Sequence, residues 1–112
     1  MGVAVTYAMI ALLLSLNLLP LPVALSHMST SAGVDTGLAY CIVENESHWD
    51  PNLVSKDFDT GLFQIIPSTA EWVAEQRGLE SYDLKDPYTN MLMGLWILAR
   101  YPEWFSTLYL CE

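Results

Sequence analysis

Among the acidic residues of one short stretch, Glu44, Glu46 and Asp59 precede a glycine-led turn, Gly61-Leu62-Phe63-Gln64. Leu38, Ala39, Ile42 and Val43 recur at helical spacing, and Glu46 follows Ile42 and Val43 by four and three positions, on their apolar face. A carboxyl so placed loses hydration when charged, which raises its pKa. Partial negative charge at a helix C-terminus pushes the same way. Such a glutamate can act as general acid and then as base near neutral pH, the role that cleavage of a glycosidic bond demands. The plain alternative is a salt-bridged or half-exposed side chain. Glu44 lies about 200° round the same helix and reads as a solvated charge.

Asp59 is the second carboxylate to weigh. A retaining hydrolase places one about 5 Å from its acid, whereas an aspartate just before a glycine also caps turns by bonding nearby backbone amides. Other chemistries lack their parts. His27 and His48 are the only histidines, so no zinc cluster is available. His48 adjoins Glu46-Ser47 rather than completing a serine-histidine-aspartate set, and no glycine-rich phosphate loop is present. No metal and no cofactor is called for.

The elements that must position these groups follow from capping and periodicity. Asp35 or Thr36 caps a helix over 36–47. Residues 48–60 are turn-rich, which predicts a loop or a minimal hairpin. Leu62, Phe63, Ile65 and Ile66 then pack against the first helix. Ser68-Thr69-Ala70-Glu71 has the form of a capping box for a helix that stops at Gly78. Asp86-Pro87 opens a helix to Arg100 that is apolar almost all round, the expected central helix. Pro102 ends it, leaving a short helix or turn over 103–111.

Several segments in order resemble the soluble lytic transglycosylase domain of the lysozyme-like superfamily. They are Glu46-Ser47, Asp50-Pro51-Asn52, Gly61-Leu62-Phe63-Gln64 fifteen residues after Glu46, Pro67-Ser68-Thr69-Ala70, Asp86-Pro87, and Asn90 through Gly94. The resemblance implies a mainly α, small helical domain of that α+β superfamily, with a short loop or minimal hairpin after the catalytic helix. It implies cleavage of the β-1,4 bond between N-acetylmuramic acid and N-acetylglucosamine in peptidoglycan glycan strands, with Glu46 as acid/base. Ser47 would orient Glu46, Gln64 would hold substrate N-acetyl groups, and Gly61 would let backbone approach a sugar. Leu62 and Phe63 belong to that same substrate-facing turn, while Phe58, Trp49 and Tyr109 are candidate stacking aromatics.

The stretch Asp59-Thr60-Gly61-Leu62-Phe63-Gln64-Ile65 is also similar to a run in animal lysozymes, which leaves a hydrolytic lysozyme using Glu46 plus Asp59 as an alternative. A non-catalytic glycan-binding or structural module of the same fold is another. One departure stands out: most relatives carry a later motif whose tyrosine reaches the catalytic glutamate, and here Tyr109 is the available substitute. Cys41 and Cys111 resemble a cysteine pair of short exported members and should form a disulfide in an oxidising compartment; two separate buried thiols are the alternative.

Charge and the N-terminal run complete the reading. Four basic against thirteen acidic side chains give a net charge of −9, which argues against nucleic acid as a partner and removes long-range attraction to an anionic wall. The first 26 residues carry no charged side chain. Residues 3–19 are almost wholly apolar and Ala24-Leu25-Ser26 offers a cleavage site, as in a secretory signal peptide over 1–26. An uncleaved anchor is the alternative, with a membrane contact only in that case. Residues 27–35 then form a linker and 36–112 the domain. The expected product is an exported monomer, extracellular or in the cell envelope.

Overall fold

A computed structural model describes residues 6–15 and 18–112; the expected signal segment lies partly outside them. Five α-helices follow in order: α1 (Tyr7–Ser15), α2 (Leu21–Ala32), α3 (Thr36–Ser47), α4 (Pro67–Arg77) and α5 (Pro87–Arg100). Two 3₁₀ turns, Pro102–Trp104 and Leu108–Cys111, close the chain.

Helix α5 is the centre, as its sequence predicts. Met91, Met93, Leu95, Ile97 and Leu98 are all buried in one core with Ile42 and Val43 of α3 and Val73 of α4. Asp86 starts the helix by accepting the Thr89 N–H at 2.9 Å and the Thr89 hydroxyl at 2.7 Å, with Pro87 in the first turn. Asp35 starts α3 in the same way, accepting the Leu38 N–H at 2.9 Å. At α4 the expected capping box does not form. Pro67 already occupies the first turn, Ile66 takes the capping position, and Ile66 makes no side-chain capping bond. Gly78 ends α4 with a left-handed φ of 67°, as expected.

The largest departure from the sequence reading is α2. The stretch expected as a linker over 27–35 is helical to Ala32, and Ser29 is wholly buried. Small polar residues are compatible with this helix because their hydroxyls return to the preceding turn. Ser29 Oγ donates to Leu25 O at 2.6 Å and Thr30 Oγ1 to Ser26 O at 3.0 Å. The helix packs between α3 and α5, and Ala24 and Leu25, upstream of the expected cleavage point, have no exposed surface. Tyr40 and Tyr88 tie its start to the body by donating to Pro22 O and Leu19 O, both at 2.6 Å. Among the described residues no helix is long and apolar enough to cross a membrane.

Between α3 and α4 the chain makes the expected minimal hairpin, reduced to single bridges Val54–Thr60 and Thr60–Ile65. Its turn is clamped from α5 by Asn90, which is wholly buried. Asn90 Oδ1 accepts the Phe63 N–H at 2.8 Å, and its Nδ2 donates to Thr60 O and Leu84 O, each at 2.9 Å. Gly61 sits against this clamp at φ 81°, and a β-carbon there would collide with the Asn90 amide and Leu84 O. Gly94 likewise makes room on α5 for the Phe63 ring.

Cys41 in α3 is bonded to Cys111, with Cα atoms 5.7 Å apart and a sequence separation of 70. Closing a loop of that length contributes about 4 kcal/mol in the chain-entropy model. It also fixes the last 3₁₀ turn against the helix that carries Glu46.

Candidate active site

Glu46 occupies the last turn of α3, on the face shared with Ile42 and Val43. It opens into a cleft of about 440 Å³ walled by Ile97 of α5 and by three further parts of the chain. The post-α3 loop contributes Asp59 and Gln64, α4 contributes Thr69, and the segment after α5 contributes Trp104, Phe105 and Ser106. Of the sequence candidates, Glu46, Asp59 and Gln64 therefore meet at one cleft.

The electrostatics of Glu46 are those of a prospective acid. Burial raises its pKa above the ordinary 4.5, the hydroxyl of Thr107 pulls it back down, and the charge of Asp59 raises it further. The Thr107 contact is direct, with Oγ1 donating to Glu46 Oε1 at 2.9 Å. It favours the ionised form while fixing one carboxyl oxygen, so the other is free to face a substrate. Asp59 is itself raised by burial and then by Asp57, so the two cleft carboxyls disfavour simultaneous ionisation.

Gln64 is held rather than free. Its backbone is left-handed at φ 47°, and Nε2 donates to Leu53 O and Gly61 O, each at 2.9 Å. Two carbonyl partners fix the amide orientation, because only the nitrogen can donate to them. With both N–H donors directed there, the group left for a ligand is Oε1, an acceptor suited to the N–H of an acetamido substituent.

The other sequence candidates lie elsewhere. Ser47 is buried and donates to Val43 O at 3.1 Å within its own helix, and the hydroxyl bonded to the Glu46 carboxyl is that of Thr107. Gly61, Leu62 and Phe63 are not among the cleft-lining residues: the glycine packs against Asn90, and the two apolar side chains are core. Phe58, 69% exposed, and Tyr109, 72% exposed, are absent from the cleft walls. Trp49 packs edge-on to Tyr40, with ring centroids 5.5 Å apart.

In their place stands Trp104. It is 48% exposed at the cleft wall and stacked at 4.3 Å, nearly parallel, on Tyr101. A braced indole of this kind offers a flat apolar face to a sugar ring. Neither Trp104 nor Thr107 carries a sequence signal for this role, since the irregular segment that holds them has no period to read.

Replacing Thr107 separates positioning from packing. Thr107→Val should move the high-pH limb of the kcat/KM profile upward, because removing a bond to the ionised form raises the Glu46 pKa and keeps the acid protonated to higher pH. A loss in kcat of about tenfold should accompany it as the carboxyl loses its fixed orientation. Thr107→Ser should restore both. A profile that stays in place in Thr107→Val would remove Thr107 from the mechanism.

Comparisons with known proteins agree with this architecture. Residues 25–111 match the family model described as the transglycosylase SLT domain. A Haemophilus influenzae protein named as a soluble lytic murein transglycosylase is 35% identical over 83 residues, covering 68% of this chain and 14% of its own length. The crystal structure of the 70 kDa soluble lytic transglycosylase from Escherichia coli superposes with a TM-score of 0.64 at 26% identity, covering 74% of this chain and 14% of that one. This chain thus spans about a seventh of either relative. With the match running from α2 through the final 3₁₀ turn, the chain belongs to the transglycosylase SLT domain family.

Proposed function

We propose that this domain is a peptidoglycan lytic transglycosylase that cleaves the N-acetylmuramic acid–β-1,4–N-acetylglucosamine bond with Glu46 as sole acid and base. The observation that carries the reading is a half-buried Glu46 carboxyl of raised pKa, held by Thr107 at the wall of an open cleft. In the first step protonated Glu46 gives its proton to the glycosidic oxygen as the anomeric C–O bond breaks, and N-acetylglucosamine leaves with a free 4-hydroxyl. In the second, the Glu46 carboxylate takes the proton of the muramic 6-hydroxyl as that oxygen bonds to the anomeric carbon. The product is a 1,6-anhydro sugar, and Glu46 ends protonated as it began. Trp104 supports the ring, and Gln64 Oε1 accepts from an acetamido N–H. The setting proposed is the cell envelope of the producing cell or its target, reached by export as a monomer.

A specific observation keeps retaining hydrolysis as the second reading: Asp59 faces the same cleft and bears electrostatically on Glu46. Product mass separates them, since an anhydro end is lighter than a reducing end by one water. Anhydro-muropeptides from purified peptidoglycan, with Asp59→Asn retaining activity to within about fivefold, are expected. Reducing ends, together with a loss of about 100-fold or more in Asp59→Asn, would transfer the assignment to a lysozyme.

A further inference from the structure

A second cleft, of about 430 Å³, lies on the other side of α5 between α2 and the end of α4. Its charge is opposite to that of the chain. Arg77, Arg100 and His27 line it and no carboxylate does, although the protein has only four Lys and Arg against thirteen Asp and Glu. Among the described residues neither arginine is ion-paired, the one such contact being His48 with Glu44. Arg100 is already set in place: its guanidinium lies 4.2 Å over the Trp96 ring and donates to Trp96 O at 3.1 Å. Most of its five N–H donors remain open. The floor is apolar, with Met28, Leu95 and Leu92, the last 41% exposed. The volume falls within the range of small-ligand sites, about 300–1,000 Å³.

Two open guanidiniums over an aliphatic floor fit a carboxylate that sits beside small apolar side chains. The groove is joined to the catalytic cleft by packed rings. Trp96 meets Trp72 at 5.6 Å, and Trp72 meets Trp104, in the cleft wall, at 5.7 Å. Peptidoglycan carries that same chemistry on its glycan strands, as short peptide arms with aliphatic residues and free carboxylates.

We infer that the groove between Arg77, Arg100 and Trp96 is a binding site for carboxylate-bearing stem peptides of the wall. The inference rests on the peptidoglycan reading for the identity of its ligand. It gives an acidic protein a local hold on a polymer that its net charge does not attract.

Two measurements on the whole chain test it. In the first, a synthetic tetrapeptide arm, L-alanyl-γ-D-glutamyl-lysyl-D-alanine, is titrated into the protein and followed by NMR. It should shift the Trp96 indole and Arg100 guanidinium signals saturably, and bind about tenfold more weakly to Arg77→Gln/Arg100→Gln or when its carboxylates are amidated. Inorganic phosphate binding as tightly as the peptide would overturn the peptide assignment. So would binding to anionic lipid vesicles that depends on both arginines, without any binding of the peptide. In the second, the parent should cleave intact strands with kcat/KM about tenfold above strands stripped of peptide, and the double variant should lose that preference. Cleavage of both strands with no preference, and no peptide binding, would sink the groove while leaving the catalytic reading intact. No cleavage of either, with peptide still bound, would do the reverse. Matching melting curves for the double variant, or for Arg77→Gln alone in its place where the double variant does not fold, keep the comparison among folded proteins.

Discussion

Glu46→Gln is expected to lower kcat on peptidoglycan by at least about 1,000-fold, because the amide can neither deliver a proton nor take one back. Its folding should move the other way. A carboxyl whose folded pKa is raised binds more protons in the native state than in the unfolded one. It is therefore stabilising below the unfolded value and loses that contribution as pH rises through the folded value. At neutral pH the charge is held against its burial, so Glu46→Gln should melt at the same temperature or slightly higher, with the gap closing as pH falls. Activity and melting measured on one preparation check both signs. A variant that cleaves within about tenfold of the parent would remove Glu46 as the acid. A variant that loses activity only by unfolding would leave the role unproved.

The second large effect concerns where the domain starts. A chain that begins at His27 lacks Ala24 and Leu25, both wholly buried, and the carbonyls of Leu19 and Pro22 that Tyr88 and Tyr40 bond. Truncating a buried leucine alone costs roughly 2–5 kcal/mol, against a net stability of about 5–15 kcal/mol for a whole domain. That chain should unfold at least about 15 °C lower than one beginning at Leu18, even with the disulfide intact. Equal midpoints by calorimetry would show that α2 is dispensable. The comparison bears on export as well. Removal of a leader at Ser26 would cut through a helix that the core depends on, whereas removal upstream of Leu18 would not.

What was legible in the sequence was whatever has a period or a cap. Asp35 and Asp86 accept the N–H groups expected of them, α5 is central because its residues are apolar on nearly every side, and Glu46 points where its spacing from Ile42 and Val43 says it must. Helix α2 was missed because serine and threonine are read as linker residues. Ser29 and Thr30 instead turn their hydroxyls back on their own helix, and burial against α3 and α5 does the rest. The turn after Thr60 is legible from its glycine, but its packing partners are not. Gly61 is required by the close approach of Asn90 and Leu84. Thr107 and Trp104 were invisible for a different reason. Local pattern says how a segment is shaped, but not which distant side chain it will meet, and both act in an irregular segment folded over another helix.

The Glu46–Thr107 bond joins residues 61 apart in sequence, and this has a consequence for when the proposed activity can appear. In an unfolded or half-folded chain Glu46 is hydrated, has ordinary acidity and has no hydroxyl to aim it. The hydroxyl that holds its carboxyl arrives only when the segment over 104–111 closes on α3, where Cys41 captures Cys111. An activity of the proposed kind, built this way, is absent until those groups meet. It depends on a contact that only the folded chain can make and that the Cys41–Cys111 bond holds in place.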